Sequence, residues 1–330
     1  MKIAAKRPLR VGVIGAGVMG TNHARVLAGL PDTSLVGVVD PLPAHRSRAA
    51  DLTNCRTFAG LDELIAEGVD AVTIAAPTHL HHEIALACIE KKIHVMVEKP
   101  IASTVEEGQQ IVAAAQASGV TLMIGHVERF NPAVVAIKQA IAGEDILSIG
   151  ITRVGPFPPR MSNVGVVIDL AVHDIDLIRW FTESDIVEVQ PQLSSAVAER
   201  EDIALLQVRT ANGVLAHINT NWLTPFKARN VTVATRGKYV MGDLLTRQVT
   251  ECFGFKPDGS YSMRHLPVGH DEPLRAELIA FLQAVRTGGL PAVSGDEGVA
   301  SLEIATRCLE SSPKPAAAPS ARKGPRRVAG

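Results

Sequence analysis

The stretch Leu9-Arg10-Val11-Gly12-Val13-Ile14-Gly15-Ala16-Gly17-Val18-Met19-Gly20 decides the fold. A β-branched apolar run feeds three glycines in G-x-G-x-x-G spacing and an amphipathic segment follows, so the glycines fall where a strand turns into a helix. Gly15 permits the tight turn, Gly17 lets the backbone approach a pyrophosphate, and Gly20 allows the helix to close on the sheet. With Val18 and Met19 they set a helix N-terminus, rich in unpaired N–H groups, against an anion. Asp40 stands twenty residues past Gly20, at the end of the next apolar run, where a carboxylate accepts both ribose hydroxyls and repels a 2′-phosphate. The expected cofactor is therefore NAD, with Arg46 and Arg48 just downstream keeping NADP open.

Working outward, short apolar runs at 9–14, 35–39, 71–74, 94–97 and 121–124 alternate with segments of helical period such as 82–90 and 104–117. That alternation predicts βαβ units and a doubly wound parallel sheet, a Rossmann domain over residues 1–126. Ligands collect beyond the carboxyl ends of such strands. Ala76, Pro77 and Thr78 after one strand, His82 at the helix that follows, and Glu98 and Lys99 after the next are therefore expected at the cofactor. Lys99, fixed by Pro100, is expected to bring its ammonium to the nicotinamide end. His79 and His82 lie one turn apart, but no further residue completes a zinc set, so no metal is expected.

Beyond Gly143 the texture changes to long alternating runs at 146–154, 186–197, 203–209, 214–221, 231–235 and 249–253, punctuated by turns such as Asn212-Gly213. They predict an α+β domain over 127–310 with a large, mostly antiparallel open sheet. One helix, 166–181, interrupts the strands, and helices at 274–286 and 298–309 close the domain. The basic, proline-rich stretch 311–330 reads as a disordered tail.

Composition narrows the function. A 330-residue chain with 46% apolar and 20% charged residues folds into more than one core, and its formal net charge of −1 offers no field for nucleic acid or an anionic membrane. Cys55, Cys88, Cys252 and Cys308 form no framework, which suits reduced thiols in a cytoplasm. Lys2, Lys6 and Arg10 before an apolar run imitate a signal peptide, but the run holds three glycines and lacks a cleavage site. A small, specifically held ligand is the expectation.

On the interrupting helix, Asp169 and His173 are four residues apart and would share one α-helical face. A carboxylate beside an imidazole raises its basicity and orients it as a general base.

The glycine fingerprint, the Pro77-Thr78 to His82 segment, Glu98-Lys99-Pro100 and the Asp169-x-x-x-His173 pair together resemble the Gfo/Idh/MocA oxidoreductases over about residues 8–310. The resemblance implies an active site of Lys99, Asp169 and His173, and an open sheet packed against another subunit in a homodimer or homotetramer. Leu205, Val214 and Ala216 would supply the apolar side of that contact. Gly125-His126-Val127-Glu128-Arg129-Phe130-Asn131-Pro132 and 155–169 narrow the likeness to nucleotide-sugar 3-dehydrogenases. This implies oxidation of the 3-hydroxyl of UDP-N-acetylglucosamine, with Arg129, Asn131, Arg153 and Arg160 reaching the diphosphate, and with an aminotransferase downstream towards a 3-amino sugar for lipid A. Either His173 or Lys99 would serve as the base. The alternatives are a dehydrogenase of UDP-N-acetylglucuronate, of a free sugar or of inositol, or a dinucleotide-sensing regulator without catalysis.

Overall fold

The computed structural model describes residues 7–158 and 164–311. The tail from 312 onward and Arg160 lie outside the described residues. In the first domain β1 (Leu9–Ile14), β2 (Thr33–Val39), β3 (Arg56–Phe58), β4 (Ala71–Ile74), β5 (His94–Glu98) and β6 (Leu122–Gly125) form a parallel sheet ordered β3-β2-β1-β4-β5-β6. This is the doubly wound order, whose direction reverses between β1 and β4, so the crevice for a dinucleotide opens there. The central strands are buried along most of their length because helices cover both faces: α1 (Val18–Ala28), α2 (Pro43–Thr53), α3 (Leu61–Ala66), α4 (His81–Glu90) and α5 (Val105–Ser118). Thr104 caps α5, accepting from the Glu107 N–H at 3.2 Å while Glu107 reaches back, a capping box that starts the helix one residue later than its apolar period suggests.

After α6 (Pro132–Ala140) the chain enters β7 (Ile146–Pro156), a π-turn at Val167–Ala171, and α7 (Val172–Thr182). Then follow β8 (Ile186–Ser194), β9 (Ile203–Thr210), β10 (Leu215–Asn221), β11 (Leu223–Thr235), β12 (Lys238–Asp243), β13 (Gln248–Phe253) and β14 (Ser262–Leu266). The sheet runs β14-β13-β12-β11-β7-β10-β9-β8, antiparallel except where β7 lies parallel to β10. One face packs on α6 and α7; the other is open. Val214 and Ala216, expected on the open face, are buried in the core instead. The alternation along β9 and β10 turns Leu205, Gln207, Leu215 and His217 outward.

The last helices, α8 (Pro273–Thr287) and α9 (Gly295–Ser311), correct the expected domain division. Leu274, Leu278, Phe281 and Leu282 of α8 belong to the first core, and the Ile124 N–H of β6 donates to the Val293 carbonyl at 3.1 Å. α9 joins both cores, with Val299 and Leu302 in the first and Ile304, Ala305 and Cys308 in the second. Among the described residues no helix is long and apolar enough to cross a membrane.

Candidate active site

The strand-to-helix turn after β1 shows why its glycines are required. Gly15 has φ +93°, and a Cβ there would meet the Ala75 carbonyl at 2.6 Å; one on Gly20 would fall 1.8 Å from the Gly15 oxygen. Around Gly17 nothing lies within 4 Å of the Cβ position, so the turn leaves an open cradle at the start of α1, which fits a pyrophosphate. Met19 and Val18 are exposed beside it.

Asp40 closes the cradle at the end of β2. Its carboxylate accepts from the Ala16 N–H at 2.7 Å and the Leu42 N–H at 2.8 Å and lies 3.1 Å from His45 Nδ1. Burial pushes this carboxyl up, but the two backbone N–H groups and His45 outweigh it and hold the carboxyl below its ordinary value. Three of about four acceptor positions are thus used within the protein. Arg46 donates to the Asp40 and Pro41 carbonyls at 2.7 and 3.0 Å, so its guanidinium braces the loop.

Beyond the ends of β4 and β5 lies a cavity of about 730 Å³, lined by Thr78, His79, Lys99, Asp169, Arg200 and Glu201 among others. The Lys99 ammonium donates to the Asp169 carbonyl at 2.7 Å and to its Oδ1 at 3.2 Å, with both side chains largely buried. Behind it Glu98 meets His23 Nε2 at 2.9 Å; burial raises this carboxyl, and His23 and Lys99 together bring it below its usual value. His81, rather than His82, ties the walls, spanning the Pro100 carbonyl at 3.0 Å and the Ala76 carbonyl at 2.9 Å. His82 does not line the cavity, and its Nε2 is buried without a partner.

His173 is buried on α7 and packs edge to face with His126, ring centroids 6.2 Å apart. The expected pairing with Asp169 does not form. The four-residue step passes through the π-turn, where side chains leave α-helical register, and Asp169 turns to Lys99. Burial, and after it the positive charges of Lys99, Arg153 and Arg229, drive the His173 imidazole well below its ordinary pKa. It is a neutral imidazole in the physiological range.

The other expected diphosphate ligands are engaged inside the protein. Arg129 grips Asp176 with two hydrogen bonds at 2.8 and 2.7 Å and meets Glu297 at 2.6 Å. Arg153, 2% exposed, bridges Asp174 at 2.9 Å and Glu128 at 2.8 Å. Asn131 caps α6, accepting from the Ala133 N–H at 3.1 Å and donating to Glu128 and the Leu244 carbonyl. Desolvated guanidiniums need such partners, and these residue types read identically in sequence whether the partner is internal or a ligand. Among the described residues no cluster of three or more His, Cys, Asp or Glu is arranged to hold a metal.

A glycine-loop dinucleotide domain with a lysine joined to a carboxylate beyond the ends of its strands has the make-up of a nicotinamide-dependent oxidoreductase; His173 is buried on α7 and is not on the cavity wall. Residues 9–126 match the profile of an oxidoreductase family with an NAD-binding Rossmann fold, and residues 154–240 match the GFO/IDH/MocA C-terminal domain. The chain belongs to the GFO/IDH/MocA oxidoreductase family, and its cofactor is NAD. It is 32% identical over 237 residues, 72% of this chain and 74% of the relative, to UDP-N-acetylglucosamine 3-dehydrogenase of Acidithiobacillus ferrooxidans. A solved structure of that enzyme superposes with a TM-score of 0.87 at 28% identity, covering 93% of this chain and 98% of the other. Inositol 2-dehydrogenase 2 of Paenarthrobacter aurescens is 30% identical over 327 residues, 92% of this chain and 96% of the relative.

Proposed function

We propose that the chain oxidises the 3-hydroxyl of a nucleotide sugar, with UDP-N-acetylglucosamine as substrate, to the 3-keto nucleotide sugar. The observation that carries this reading is the Lys99 ammonium held by Asp169 on the wall of the cavity, within the electrostatic reach of a neutral, buried His173. The similarity to UDP-N-acetylglucosamine 3-dehydrogenase supports the substrate. NAD, when bound, supplies the acceptor for the hydride leaving the sugar carbon. Gly15, Gly17, Val18, Met19 and Gly20 would hold its pyrophosphate, Asp40 its adenosine ribose, and Ala76, Pro77, Thr78 and Glu98 the approach to its nicotinamide end. Lys99 donates a hydrogen bond to the substrate oxygen and stabilises negative charge as it develops there. His173 takes the hydroxyl proton, which its neutral state permits. Asp169 is a positioning residue that acts through Lys99. The keto product is the substrate class of an aminotransferase, which would install a 3-amino group of the kind used in lipid A.

A second reading, oxidation of inositol, is favoured by the longer span over which the inositol 2-dehydrogenase aligns. Following NADH absorbance with UDP-N-acetylglucosamine, UDP-N-acetylglucuronate, free N-acetylglucosamine and myo-inositol decides between them. The highest kcat/KM is expected with UDP-N-acetylglucosamine; preferential oxidation of myo-inositol would establish the second reading.

Replacing Asp40 with Ala should weaken NAD binding by about ten- to a hundredfold, the value of a charge-assisted hydrogen bond, and should leave the Ala16 N–H without its acceptor. Calorimetric titration checks this, and a wild-type preference for NADP would contradict the role given to Asp40. The outward face with Leu205 and Leu215, both about half exposed, is expected to meet a second copy of the chain. Light scattering should therefore report a dimer or tetramer, and a monomer at micromolar concentration would count against it.

A further inference from the structure

We propose that Arg200 recognises the diphosphate of the substrate and so selects a nucleotide-linked sugar over a free one; this rests on the nucleotide-sugar reading above. Among the described residues, Lys99 and Arg200 are the Lys and Arg side chains on the walls of the 730 Å³ cavity. Lys99 is already answered by Asp169, whereas Arg200 is exposed and makes no ion pair within the described residues. The other acid on the wall, Glu201, makes no ion pair with Arg200; its carboxylate accepts from the Val167 N–H at 3.2 Å and its carbonyl from the Val166 N–H at 2.9 Å.

The loop that carries Arg200 is built rather than loose. Asp202, fully buried, accepts from the backbone N–H groups of Ala196, Val197 and Ala198 at 2.9, 2.6 and 2.9 Å. These bonds fold the segment between β8 and β9 into a compact turn, and Glu201 then ties the turn to the entry of the π-turn that carries Asp169. Arg200 is therefore tethered on both sides, and its guanidinium meets the cavity as a fork suited to phosphate oxygens. A cavity of this size lies well within the range of ligands larger than a single ring, about 300–1,000 Å³. With Arg129 and Arg153 engaged by buried carboxylates, Arg200 is, among the described residues of the cavity wall, the cation left to face an anionic ligand.

The test compares wild type with Arg200→Gln and Arg200→Lys in NAD-dependent oxidation of UDP-N-acetylglucosamine. UDP serves as a competitive probe, and NAD titration is the check on folding. Arg200→Gln should raise the KM for the nucleotide sugar and the inhibition constant of UDP together by about ten- to a hundredfold, as expected for one or two lost charge-assisted hydrogen bonds. The loss should fall on KM, NAD affinity should hold, and the Lys variant should recover part of it. Equal KM and UDP inhibition in wild type and Arg200→Gln would overturn the assignment while leaving the nucleotide-sugar reading intact. A wild type inert towards UDP-N-acetylglucosamine but active on myo-inositol would instead overturn that reading, and the role of Arg200 with it.

Discussion

Replacing His173 with Asn is expected to lower turnover by a factor of about 10² to 10⁴ while NAD affinity stays nearly constant, the signature of a lost general base. The pH profile makes the assignment specific. Burial and the cations Lys99, Arg153 and Arg229 all disfavour the imidazolium, and no carboxylate contact offsets them, because Asp169 is turned to Lys99. The basic form therefore survives to lower pH, and the acid limb of kcat/KM should lie below the ordinary imidazole value of about 6.5 and vanish in the Asn variant. Lys99→Met should also cut turnover, by removing charge stabilisation at the substrate oxygen. It also removes one of the cations that depress His173, so its acid limb should move upward towards the ordinary value. Persistence of the limb without His173 would transfer the proton to Lys99.

Arg153→Leu should cost about 3–5 kcal/mol of folding stability, because it strands two carboxylates in the interior. Asp174 is fully buried and Glu128 nearly so; Arg229 still reaches Glu128 at 3.0 Å, which favours the lower end of that range. The stranded carboxyls would take up protons more readily folded than unfolded, so the deficit should narrow as pH falls. Urea denaturation measures both quantities, and combining the change with Asp174→Leu should recover part of the loss. An Arg153→Leu protein as stable as wild type, but with weakened substrate binding, would return Arg153 to the diphosphate.

The parallel sheet was legible because a buried strand and a glycine turn leave local marks: Leu9–Ile14 and Ala71–Ile74 match their apolar runs residue for residue. The second sheet was legible in kind, yet β12, short and next to a glycine, β14 and the first half of β11 escaped. The residues of β14 and of the first half of β11 are largely exposed, so no alternation marks them. Three-residue β3 escaped for want of length, and the Pro-initiated α6 was not read as a helix. At the candidate site, Lys99 and Asp169 were singled out from motif and position, and the structure brings the two into contact. The Asp169–His173 contact was inferred from α-helical spacing, which a π-turn defeats. The identity of a guanidinium's partner is a long-range fact: Arg129 and Asp176 are 47 residues apart, and nothing local distinguishes that pair from a free phosphate fork.

The return of the chain to its first core bears on how such proteins can be recombined. A hybrid made by a single cut near residue 126 would take its dinucleotide half from one parent and Phe281, Leu278 and Val293 from the other, leaving foreign side chains to plug the first core. Two crossovers are required instead, with α8 and the segment through Val293 travelling alongside the amino-terminal half. The second seam must then run through α9, whose two ends answer to different cores. Compatibility along that one helix, more than the linker after β6, sets which parents can exchange substrate halves.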